Sequence, residues 1–71
     1  MTIITKAFIL GELESIRKHE GDDEAQHSRE DELYRRVLVA ISKNKLEDMT
    51  PAEASKLILE TQKMKFNRWA A

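Results

Sequence analysis

The chain contains no cysteine, one proline, two glycines and four aromatic residues among its 71 positions. Without thiols there is neither a disulfide staple nor a thiolate metal site, which removes the small secreted disulfide scaffolds and the zinc fingers. Two isolated glycines cannot build a loop that cradles phosphates, so the nucleotide-binding fingerprints are absent as well. The longest unbroken apolar run is Val37–Ile41, far short of the roughly 20 residues needed to span a bilayer. Residues 1–10 are moderately apolar, but Thr5 and Lys6 interrupt them and no small-residue cleavage site follows. No secretory signal and no membrane association are therefore expected, and the cytoplasm is the expected location. Strand signals are scarce too: there is no alternating run of β-branched and aromatic residues and no Asn-Gly or Asp-Gly turn.

What the chain does have is charge and helix formers. Twelve basic and 13 acidic side chains give a net charge of −1, and 35% of residues are charged. The balance conceals an asymmetry: residues 1–34 carry nine acids and four bases, residues 35–71 four acids and eight bases. Leu, Ile, Val and Phe number 17, about 24% of the chain, above the roughly 20% below which a chain stays disordered. A chain of this length forms one small domain and buries only about 60% of its unfolded surface. That is too little for most enzyme architectures, and it favours burial against a partner.

Three helices are predicted, over about residues 5–20, 23–44 and 51–64, followed by a short aromatic segment at 65–71. In the first, Ile3, Ala7, Leu10, Leu13 and Ile16 recur at steps of three and four and form one stripe, with Phe8 and Ile9 beside it. Gly11 marks either a close backbone approach or a tolerated glycine, and Gly21 suits the left-handed position that ends the helix. In the second, Leu33, Val37, Ala40 and Ile41 make the core line, flanked by Tyr34 and Leu38; Asp22 or Asp23 is the preferred cap, with Ser28 the later alternative. The third opens on Thr50-Pro51-Ala52-Glu53, a capping box with proline at its first helical position. Ala54, Leu57, Ile58 and Thr61 follow at helical spacing. The expected fold is all-α, a small antiparallel three-helix bundle. The off-stripe residues Phe8, Ile9, Val39 and Leu59 exceed what a monomer of this size buries, which points to a homodimer or a protein partner.

Three constellations could carry function. Seven acids against one arginine crowd Glu20–Glu32. There Asp22, Asp23, Glu24, Glu30, Asp31 and Glu32 form a candidate acidic surface for a partner protein, able to steer a basic groove or to imitate nucleic-acid phosphates. The same stretch offers a metal site: Asp23, His27 and Asp31 step by four along one helix face, with His19 close to its start, and imidazole plus carboxylate suits Mn, Fe or Zn. The structural alternative is a polar layer in which His27 bonds a neighbouring carboxylate; no duplicated Glu-x-x-His supports the metal, so no cofactor is the first expectation. Finally, Lys63, Lys65, Phe66, Arg68 and Trp69 interleave cations with rings, a pattern that grips phosphates and stacks on bases. The pI of about 6.1 disfavours nucleic acid all the same. Ser15, Ser28, Ser42 and Ser55 stand in no nucleophile context, and no enzyme is expected.

The pattern Asp22-Asp23-Glu24-Ala25-x-His27-x-x-Glu30-Asp31-x-Leu33-Tyr34-x-x-Val37-Leu38, with a terminal Phe66-x-Arg68-Trp69, resembles a group of small uncharacterised proteins encoded by bacteriophages and prophages. The likeness covers roughly residues 10–70. It implies a phage setting and an accessory or host-directed binding role, and it carries over no functional residue.

Overall fold

The computed structural model describes residues 3–66 and 68. The element order is β1 (Ile4–Thr5), α1 (Lys6–Lys18), α2 (Asp23–Ser42), β2 (Leu46–Glu47) and α3 (Pro51–Ile58), and a 3₁₀ turn (Leu59–Lys63) continues α3. The molecule is mostly helical, as expected, with one addition: β1 and β2 pair in parallel, Ile4 opposite Leu46 and Thr5 opposite Glu47. A radius of gyration of 12.0 Å, against about 11 Å for a sphere-like chain of this length, makes it compact and slightly elongated.

Each helix starts on a side-chain oxygen that accepts an otherwise orphan backbone N–H. Thr5 accepts from Phe8 N at 3.1 Å, and Asp22 accepts from Ala25 N at 3.1 Å. In α3 the capping box is complete: Glu53 N donates to Thr50 Oγ1 at 3.1 Å and Thr50 N to Glu53 Oε1 at 2.8 Å. Asp22 thus settles the start of α2 in favour of the early alternative, with Asp23 and Glu24 in its first turn. After α1, Gly21 adopts φ 93°, the left-handed conformation expected of it.

The core draws on all three helices and on β1. Ile4, Ile9, Leu13, Ile16, Leu33, Val37, Ala40, Ala54 and Ile58 are buried, and Phe8, Tyr34, Leu57, Met64 and Phe66 pack against them. Two expectations for α1 need correction. Its inward stripe is Ile9–Leu13–Ile16, whereas Ile3 and Leu10 are about half exposed and Ala7 faces solvent. At 100° per residue Leu10 lies roughly 95° from the middle of that stripe. The pairing of β1 also ends helical phasing before Lys6, so Ile4 turns inward by strand alternation and Ile3 outward. Ile9 is accordingly core, and Phe8 and Val39 are half-buried; of the four residues expected to be in excess only Leu59 is open, beside Ile3, Leu10 and Leu38. Leu38, expected to flank the core, is 60% exposed.

The third helix also departs from expectation. The α-helical pattern stops at Ile58 and the chain tightens into the 3₁₀ turn, where the buried Thr61 hydroxyl donates to Ile58 O at 3.0 Å. This back-bond within three residues favours the tighter winding.

Gly11 has no atom of the described residues within 4 Å of the position a Cβ would take, so they make no close approach to it. Gly11→Ala is therefore expected to stabilise the fold by about 0.5–1 kcal/mol, read as a higher midpoint in urea at unchanged slope.

Candidate functional site

The inward line of α2 does not begin at Leu33. Gln26, Glu30, Leu33, Val37 and Ala40 are all buried, stepping by four, three, four and three, so two polar residues extend the core stripe toward the start of the helix. Gln26 donates from Nε2 to Ile16 O at 2.8 Å, pinning α2 to the last turn of α1, while its Oε1 has no partner among the described residues. It lines a cleft of about 470 Å³ together with Arg17, Glu20, Glu60, Lys63, Met64 and Lys65.

Glu30 is the sharper case. A lone carboxylate with a side-chain exposure of 3% is too costly to keep ionised without a counter-charge. Arg68, 38 residues away, supplies it in a bidentate fork: Nε to Oε1 at 2.8 Å and Nη2 to Oε2 at 3.0 Å. The same guanidinium donates to Thr61 O at 2.7 Å and lies over the Phe66 ring, 3.8 Å from its centroid. Tyr34 and Thr61 share a hydroxyl–hydroxyl bond of 2.6 Å, and Gln62 Nε2 donates to Tyr34 Oη at 2.9 Å and reaches Glu30 Oε2 at 3.5 Å. One polar network thus joins α2, the 3₁₀ turn and the segment after it. Burial pushes the Glu30 carboxyl up, but the hydrogen bonds and charge of Arg68, with His27 nearby, hold it below the usual carboxylate range.

Glu30 was expected on the acidic surface, and this placement is a correction. It falls on the core side of α2 because it continues the Leu33–Val37–Ala40 line. Asp22, Asp23, Glu24 and Asp31 are exposed. Glu32 is tied to its own helix, with Arg35 Nη2 at 2.6 Å and Arg36 Nε at 2.9 Å from Oε2. Those bonds hold the Glu32 carboxyl at about 2.

The expected metal quartet comes together only in part. His27, Glu30 and Asp31 have ligand atoms within 4.8 Å of one another, and His27 Nε2 lies 3.4 Å from Asp31 Oδ2. His19 stands outside this group, its Nδ1 2.8 Å from Ser15 O at the end of α1, and so does Asp23, in the exposed first turn of α2. Glu30 is the member of this group that the expected quartet did not include. Its signal was available: counting back by three and four from Leu33 reaches Glu30 and Gln26.

The phosphate-gripping segment is likewise divided. Lys63 and Lys65 are exposed, but Arg68 is committed to Glu30 and Phe66 is packed against the core beneath that guanidinium. Trp69 lies outside the described residues. Among the described residues no helix is long and apolar enough to cross a membrane. No protein-family model, no curated protein and no solved structure matches the chain.

Removing one partner of a buried pair strands the other, so Arg68→Ala is expected to cost about 3–5 kcal/mol in urea unfolding at neutral pH. The Glu30 carboxyl is lowered on folding from an ordinary value of 4.5, so its contribution is full above that value. It is lost as pH falls through the folded-state pKa, and Glu30→Gln should flatten this acid limb of the stability curve. By carbon-detected NMR, Glu32 should titrate near 2, and Arg35→Ala should return it toward 4.5.

Proposed function

We propose that this is a small non-enzymatic interaction protein that docks on a basic surface of a protein partner through the exposed acids at the start of α2. In its concrete form it is a phage-encoded modulator acting in the host cytoplasm, an antiparallel bundle that associates as a homodimer. The observation that carries the reading is the run of three consecutive exposed carboxylates, Asp22, Asp23 and Glu24, at the start of α2. Exposed Glu14, and half-buried Glu32 and Glu60, are each bridged to a lysine or arginine one helical turn away. Asp22, Asp23 and Glu24 are exposed with no bridging cation among the described residues. Charges left unneutralised on a rigid helix end project a field that steers a basic partner and is screened by salt.

Support for self-association comes from exposed apolar residues on several elements: Ile3, Leu10, Leu38 and Leu59 are each about half exposed on a molecule with a small core. Among the described residues the nucleic-acid reading has less support, since two of its expected contacts, Arg68 and Phe66, are engaged internally.

The test is capture from host lysate with the wild-type chain beside an Asp23/Glu24/Asp31→Lys variant. Asp22 is left in place because it caps α2, and Glu30 because it is buried. A specific basic partner should bind the wild type, weaken by about tenfold or more on charge reversal, and weaken as salt rises through the physiological range. A partner retained equally by both proteins ends the acidic-surface reading. Light scattering over a concentration series should show a dimer, and a strict monomer removes the self-association.

A further inference from the structure

We propose that His27, Glu30 and Asp31 form a binding site for a divalent transition cation of the zinc class, and that Arg68 is the internal cation that holds this site when no metal is bound. The proposal rests on observations other than those behind the docking reading above.

The donor set comes first. Positions i, i+3 and i+4 on a helix lie side by side, so α2 presents one imidazole and two carboxylates within a single turn. Their ligand atoms lie within 4.8 Å of one another, close enough for side-chain rotation to bring them to one ion. Imidazole with carboxylate selects zinc and its neighbours over magnesium or calcium, which prefer sites of oxygen alone. Three protein ligands leave a fourth position for water, the arrangement of an open zinc site.

Exposure is graded across the cluster. Glu30 is 3% exposed at the side chain, His27 16% and Asp31 64%. A hydrated ion therefore has an approach from the Asp31 side and two increasingly dry ligands behind it. The ligands stand on the second and third turns of a 20-residue helix whose inner face is packed, which fixes the relative positions of their backbones before any ion arrives.

The second observation is that this group already attracts a cation. Arg68 comes from the far end of the chain and places its guanidinium on both Glu30 oxygens. A buried carboxylate demands positive charge, and guanidinium and a divalent ion are alternative ways to provide it. Each oxygen has lone pairs for both, but a divalent ion and a guanidinium held on one carboxylate repel each other, so metal and Arg68 compete for Glu30. Arg68 has other bonds to keep when it yields, to Thr61 O and the Phe66 ring. Loading the site therefore loosens one attachment of the C-terminal segment without stripping all of them. Competition gives a prediction that runs opposite to ordinary damage: deleting Arg68 should improve metal binding.

The experiment is a calorimetric titration of zinc chloride into the untagged full chain at neutral pH, in wild type, Arg68→Gln and His27→Ala. The imidazole signals are followed by NMR in parallel. A single equivalent should bind the wild type; with Glu30 free of Arg68 in about 1–10% of molecules, Arg68→Gln should bind about 10–100-fold tighter. His27→Ala should lose at least tenfold, and the His27 ring signals should shift while those of His19 stay in place. No uptake by folded Arg68→Gln, equal affinities in wild type and Arg68→Gln, or uptake undiminished in His27→Ala each overturns the proposal. Should Arg68→Gln fail to fold, the wild-type spectrum decides: without a His27-selective shift at excess zinc the site does not exist.

Discussion

The structure depends on a carboxylate placed where an apolar side chain would be expected. Glu30 occupies the inward line of α2, one turn before Leu33, and desolvation there would neutralise or unfold it if nothing answered its charge. Only an arginine matches it well, because a planar fork meets both oxygens while donors remain for backbone carbonyls; a lysine would offer a single point charge. Once Arg68 is committed, the path before it is constrained. The chain must leave α3 in time to bring Thr61 O within 2.7 Å of Nη2 and Phe66 under the guanidinium. The early end of the α-helix at Ile58 and the 3₁₀ winding that follows are consistent with that demand. A well-packed apolar pair at these positions would stabilise the domain as much or more. What the ion pair adds is a unique seat for the C-terminal segment on a very small core.

The acids of α2 therefore do three different things, and net charge conceals all of them. Glu30 is structural, turned inward and paired over a long sequence distance. Glu32 is consumed locally by Arg35 and Arg36, one turn away on the same helix. Asp22, Asp23 and Glu24 surround the positive end of the helix dipole, where they favour helix formation without being neutralised. A seemingly uniform acidic run thus resolves into a clasp, a helix-stabilising bridge and a free electrostatic surface, and position relative to the α2 core line separates them.

Local chemistry was legible in the sequence, and long-range pairing was not. Thr50, Pro51 and Glu53 announce the third helix because a capping box involves only four consecutive residues, and Asp22 and Gly21 mark the neighbouring boundaries for the same reason. The two strands leave no such trace: two residues have no period, and their pairing joins Ile4 to Leu46 across two helices. That unseen pairing also misled the phasing of α1, because reading Ile3 as helical drags the stripe toward Leu10 and away from Ile9. Glu30 was hidden by residue type. Its spacing marks it as interior, yet a glutamate in a run of acids reads as surface until Arg68 is seen beside it.

Asp31 stands at the edge of both functional readings, and this makes them energetically dependent. It is 64% exposed at the side chain, close to His27, and belongs to the same face of negative charge that a basic partner would meet. A cation held by His27 and Asp31 removes negative potential from that face, while a basic partner screens the carboxylate a metal needs. By linkage each ligand must weaken the other by the same factor, and the size of the effect reports how much of the docking field Asp31 supplies. Glu30 adds a second route of coupling, because any ion that draws it from Arg68 also frees a guanidinium next to the 3₁₀ turn. In a domain with so little interior, one turn of helix serves as core, clasp and surface together, and a change in any of them is felt by the others.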